Sequence, residues 1–192
     1  MRTLVVLSII HSEVDLGSAA AAARSRYGEA AWARHQQEVR ARWRQMARDL
    51  GRLELDWRRV KVYHDSLPEG GEAGLRVVRA LAARGSPDYR LVEALVRRGA
   101  ELVATEDPRL LLLELELVRG AERETARPGA GQRGAAGRKR LAQLLLARDR
   151  YMAARIAKTL GEGETGVLFV GAAHQVARFL PGDVRVLSLG AR

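Results

Sequence analysis

The chain has 192 residues, enough for one α/β domain that buries roughly 70% of its unfolded-chain surface. Hydrophobic residues make up 47% of it, which excludes a chain disordered throughout. No apolar run reaches the ~20 residues of a membrane span, and the lack of cysteine excludes disulfide scaffolds, thiolate metal sites and cysteine nucleophiles.

The first apolar run, Leu4–Ile10, precedes His11, Glu13 and Asp15. Charges at those positions are foreign to a signal peptide, so the run is read as a buried first strand. A helix start follows, with Ser18 as cap, and a cytoplasmic protein is expected. Residues 29–50 place Trp32, Val39, Trp43, Met46 and Leu50 at spacings of 7, 4, 3 and 4, a narrow helical seam among arginines. Because a small sheet is not expected to cover two tryptophans fully, the seam points to a homodimer. His35 falls on the same helix and is read as a surface residue.

The second run, Val60–Tyr63, ends in His64-Asp65. Residues 72–84 form a helix ending at Gly85, and Ser86-Pro87 reads as a cap followed by a first-turn proline. A third strand over Glu101–Thr105 ends in Glu106-Asp107, and Pro108 opens a helix through the leucines at 110–113. Residues 120–138 are rich in Gly, Ala and Arg, contain Pro128 and lack any apolar period, so they are expected to form a mobile loop. On the helix after it, Leu141, Leu145, Met152 and Ile156 make an apolar stripe with Arg148 in its middle and Asp149 at its border. An inward arginine needs an acceptor, and Glu106 and Asp107 are the nearest expected carboxylates. The last strands are Val167–Val170, leading through Gly171-Ala172-Ala173 to His174, and Val184–Leu189.

The near-continuous apolar runs fit strands covered on both faces. The alternation of strands and helices predicts a single α/β domain over 1–192, with a mostly parallel sheet of four to five strands and helices on both faces. The strand ends then bring three of the four histidines to one sheet edge, where ligands bind in open parallel sheets. Histidines mixed with Asp and Glu form a ligand set for a divalent metal ion or an acid–base set for hydrolysis.

The net charge of +10 is uneven: residues 24–61 hold 11 basic and 5 acidic residues, and residues 119–155 hold 10 and 3. With aromatics at 5% and no stacking pattern among the arginines, a solvated basic surface is expected rather than a nucleic-acid interface.

Arg148-Asp149-Arg150-Tyr151-Met152, a following helix, the strand Val167–Val170 and then Gly171–His174 resemble the carboxy-terminal signature of the TraB/Tiki superfamily. That superfamily includes relatives of erythromycin esterase and the haem-associated ChaN proteins. Its pattern has two G-x-x-H motifs, a Glu after a middle strand and an Arg on the helix before the second motif. Gly171–His174, Glu106 and Arg148 match in order; Ser8-Ile9-Ile10-His11 has Ser where the first motif has Gly. The resemblance implies a metal-assisted hydrolase acting on a small molecule or peptide. His11, His174 and Glu106 would bind the ion, with Glu106 as ligand or general base and Arg148 stabilising negative charge; Glu13 and His64 are further candidates. The alternatives are a non-catalytic module for a small ligand or haem, and a partner or nucleic-acid surface on helix 29–50.

Overall fold

The structure is a computed structural model describing residues 1–16, 19–125 and 131–189. Strand β1 (Arg2–Ile9) is followed by a single turn, α1 (Glu13–Leu16), then α2 (Ala19–Tyr27) and the long α3 (Glu29–Gly51). A 3₁₀ turn at Trp57–Arg59 enters β2 (Val60–His64), followed by α4 (Gly71–Ala83) and α5 (Pro87–Arg97). Next come the short β3 (Glu101–Leu102), α6 (Pro108–Thr125), α7 (Gly131–Thr159), β4 (Thr165–Gly171), a 3₁₀ turn at Val176–Phe179 and β5 (Val184–Leu189). No helix among the described residues is long and apolar enough to cross a membrane.

The five strands form one all-parallel sheet in the order β3-β2-β4-β1-β5. Both faces are covered, which is why β1 and β4 read as unbroken apolar runs. Val5, Leu7 and Ile9 of β1 join Val60, Val62, Val167 and Phe169 in a core under α3, α4 and α5. The alternate residues Leu4, Tyr63, Leu168 and Val170 pack against Met152, Ala153 and Ile156 of α7. Period-two strand geometry thus divides one sequence run between two cores.

The chain runs from β1 to β2 to β3 in one direction along the sheet and returns through β4 to β5 in the other. Its outward connections lie on the α3 face and its return on the α7 face, as right-handed crossovers require. Neighbouring strands β2 and β4 therefore send their carboxyl-end loops to opposite faces. This is the switch point at which open α/β sheets bind ligands.

Several expectations change. The tryptophan seam is covered by the chain itself: Trp32, Trp43, Met46 and Leu50 are at most 4% exposed. Trp43 stacks on Phe169 with ring centroids 6.3 Å apart and donates from its indole N–H to the Ile10 carbonyl. The motive for a second copy at this seam is thereby removed. Residues 120–125 and 131–138 are helical rather than looped, because Arg, Ala, Gln and Lys favour helix and outweigh scattered glycines. Pro128 and the rest of 126–130 lie outside the described residues, as does the Ser18 cap. The third strand is short because Thr105 takes over its pairing: Oγ1 accepts from the His64 N–H at 3.1 Å and donates to the Val103 carbonyl.

The turn before α4 is packed against this segment. A Cβ on Gly70 would lie 2.7 Å from the Ala104 nitrogen and 2.9 Å from the Leu102 oxygen, both backbone atoms. Gly70→Ala is expected to cost about 1–3 kcal/mol through overpacking. Urea unfolding checks this, and an unchanged midpoint would show that the segment yields.

Candidate functional site

Parallel strands bring His11, His64-Asp65, Glu106 and His174 to the same, carboxyl, edge of the sheet. They form two groups, divided by the sheet.

The first group lies toward α7. His174 Nδ1 is 2.6 Å from Asp149 Oδ1, and the other oxygen of that carboxylate accepts the Gln175 backbone N–H at 2.9 Å. Asp149 is 3% exposed, so α7 presents a buried, doubly held carboxylate to the ring. The charge on Asp149 favours a proton on Nδ1 and leaves Nε2 as the ring's free nitrogen. Nε2 lies 3.8 Å from Asp65 Oδ2, beyond hydrogen-bond distance. Asp65 is itself fixed: the Gly171 N–H donates to Oδ2 at 2.6 Å and the Ser66 hydroxyl to Oδ1 at 3.1 Å.

Arg148 sits one residue before Asp149 and is likewise buried. Its Nε and Nη2 donate to Glu106 Oε1 at 2.9 and 2.6 Å, Nη2 also to the Asp65 carbonyl at 2.6 Å, and Nη1 to Glu114 Oε2 at 2.6 Å. The expected acceptor Glu106 is thus correct, whereas Asp107 instead accepts the Arg109 N–H. Four N–H donors of the guanidinium are engaged by the protein, so Arg148 ties the β2 and β3 loops to α7 rather than offering its charge to a substrate.

Glu106 is 1% exposed and its Oε2 has no hydrogen-bond partner. Burial pushes its carboxyl up to about 7, against the pull of Arg148. Its folded value is therefore above the 4.5 of an ordinary carboxyl. The sign of the linkage follows: the stabilisation is fully present below pH ~4.5 and is lost as pH rises through ~7. The expected loss is on the order of 3 kcal/mol. Unfolding free energy measured against pH should show this fall in the parent chain and not in Glu106→Gln. Parallel curves would contradict it.

The second group lies toward α3–α5, around a cavity of about 610 Å³ whose wall includes His11, Asp15, His64, Ser86, Asp88 and Tyr89. The buried His64 ring stacks on Tyr89 at 4.6 Å and Phe169 at 5.9 Å. The Ser66 N–H lies 3.2 Å from His64 Nδ1, which is also 3.5 Å from Asp65 Oδ1, and Nε2 is 3.4 Å from Asp88 Oδ2. Burial acts to raise the Asp88 carboxyl, but the hydrogen bond and charge of His64, with hydrogen bonds from Ser86 and the Tyr89 N–H, outweigh it and hold it below the usual range. Ser86 takes the N-cap position of α5 ahead of Pro87, as expected, but its side chain makes no cap bond; its hydroxyl contacts both Asp15 and Asp88.

The expected metal set is not assembled. Among the described residues no group of three or more His, Asp or Glu side chains is arranged to hold a metal ion. His11 is exposed at the cavity, His174 is bound to Asp149 and Glu106 to Arg148. The donors fit hydrogen-bonded pairs better than a shared cation. Glu13 is in neither group; it pairs with Arg24 at the surface. His35 is exposed, its ring stacked on Tyr27 and tilted against Trp32.

Asp15, Ser86, Asp88 and Glu114 carry no sequence signal of a site. Ser86 reads only as the helix cap whose position it takes, and Asp15 meets it across 71 positions of chain. No family profile, curated protein or solved structure matches the chain.

Proposed function

We propose that the chain is a hydrolase whose base is His174, oriented by Asp149 and acting at the β2–β4 switch point. The observation that carries this reading is the 2.6 Å contact of His174 Nδ1 with Asp149, on a carboxylate that Gln175 also clamps. An imidazole held in this way keeps one tautomer and one direction, and its Nε2 accepts a proton from water as that water attacks an acyl or phosphoryl centre. Arg148 is a positioning residue for Glu106 and the Asp65 loop. This departs from the roles implied by the TraB/Tiki resemblance, since neither a bound ion nor a free guanidinium is used. The shared feature is a hydrolytic histidine after a late strand.

The test is a panel of a p-nitrophenyl carboxylic ester, a p-nitrophenyl phosphate and a peptide p-nitroanilide, each with and without EDTA. Hydrolysis of one class is expected, resistant to the chelator and lost in His174→Ala while the far-ultraviolet dichroism is unchanged. No turnover above buffer in any class, or full activity in His174→Ala, removes the reading.

A further inference from the structure

Helices α3 and α5 leave a groove of about 350 Å³ between them. Its floor is apolar, made of Trp43, Ala47, Pro87, Leu91 and Ala94. Every charged side chain in its wall is an arginine: Arg40 and Arg44 from α3, and Arg90 from α5. Arg40 and Arg44 stand one helical turn apart, a spacing at which like charges repel. Arg90 is held by its Nε, which donates to the Ala82 carbonyl at 3.1 Å. Among the described residues none of the three lies within ion-pair distance of a carboxylate, whereas Arg2, Arg24, Arg52, Arg97 and Arg148 each do. The acids of the two helices are engaged elsewhere: Asp49 with Arg52, Asp88 with His64 and Glu93 with Arg97. Glu38, two residues before Arg40, stands on the far side of α3. Three positive charges thus converge over an apolar floor with no anion of the protein among them.

Size and chemistry select the occupant. A volume of about 350 Å³ is at the lower end of small-molecule sites and too small to seat a helix, which is ~10–12 Å across with its side chains. The Trp43 indole is 4% exposed, so the floor offers aliphatic surface and no open ring face on which a nucleobase would stack. Guanidinium groups match a carboxylate with paired, charge-assisted hydrogen bonds. We propose that the α3–α5 groove binds an aliphatic carboxylate, its chain lying on Ala47, Leu91 and Ala94 and its charge taken by Arg40, Arg44 and Arg90. The groove shares no residue with the His174 and Glu106 group, so this site does not rest on the hydrolytic reading above.

The probe is octanoate, compared with octanol, octylammonium and acetate on the full chain at physiological ionic strength. The readout is the indole N–H signal of Trp43 in nitrogen-15 correlation spectra, assigned from Trp32→Phe and Trp57→Phe. Octanoate is expected to shift this signal to saturation, and the other three are not. Arg40→Gln combined with Arg44→Gln, both at exposed positions, should weaken octanoate by about tenfold or more, the usual size for hydrogen bonds to a charged group. Ala47→Phe, which fills the groove and leaves the arginines in place, should abolish the shift. Octanol acting as well as octanoate would reduce the groove to an apolar patch, and acetate acting as well would reduce the arginines to a solvated cluster. A Trp43 shift that grows with protein concentration in the absence of any probe would make the groove a contact between copies of the chain. Each of these results overturns the proposal, as does an octanoate affinity unchanged in both variants. Octanoate binding needs no turnover and is expected to be the same in His174→Ala, so the groove and the hydrolase stand or fall separately.

Discussion

Arg148→Met is expected to lower unfolding stability by about 3–5 kcal/mol near pH 8, the cost of breaking a buried pair by removing one partner. The side chain fits the apolar stripe of α7, so the loss is not one of packing. Without the guanidinium, Glu106 loses both donors to Oε1, and its Oε2 has no partner to begin with. Glu114 and the Asp65 carbonyl also each lose a donor.

The sign of the pH dependence separates this account from a general packing defect. Removing Arg148 raises the Glu106 carboxyl further, because burial and the charges of Asp65 and Glu114 then act on it unopposed, so the buried group is ionised at a greater cost. Below pH ~4.5 Glu106 is protonated in both folded and unfolded chains and the difference from the parent should shrink. Adding Glu106→Gln should recover much of the loss, since a buried ion pair replaced on both sides is often close to neutral. The double-mutant cycle measures this. A loss independent of pH, or one that Glu106→Gln fails to relieve, would assign Arg148 to packing.

The legible parts of this protein are those where one short run of sequence determines one contact class. The unbroken apolar runs of β1 and β4 imply a sheet covered on both faces, and the strand ends then place His11, His64, Glu106 and His174 at one edge. Arg148 was identifiable because a charge inside an apolar period demands a partner, and Glu106 is that partner. What local pattern does not contain is which side of the sheet each edge residue serves. His11 and His174 follow neighbouring strands, yet one lines the cavity toward α5 and the other is held by α7. That division depends on the direction of the crossovers, and it is why a metal set expected from residue types is not gathered. The extent of α6 and α7 was obscured for a different reason: glycines signal loops locally, while the helical preference of the intervening Arg, Ala and Leu acts over the whole segment.

Asp149→Asn is expected to abolish hydrolysis almost as completely as His174→Ala, by a factor of ~10²–10⁴, the usual contribution of a positioned general base. The two side chains have nearly the same shape, so the argument rests on hydrogens. The Gln175 backbone N–H can only donate, and it points at one oxygen of residue 149. In Asp149→Asn the amide oxygen must take that position, which turns the amide NH₂ toward His174 Nδ1. Nδ1 then accepts instead of donating, the ring hydrogen moves to Nε2, and the nitrogen needed as base has no lone pair to offer. The fold is expected to persist, because both hydrogen bonds remain with one reversed. Nitrogen-15 NMR of the imidazole reads the tautomer directly, with Nε2 changing from unprotonated to protonated on substitution. Retention of activity with a reversed tautomer would show that Nε2 is not the base. Loss of activity without any tautomer change would move the role of Asp149 from orienting the proton to holding the Gly171–Gln175 loop.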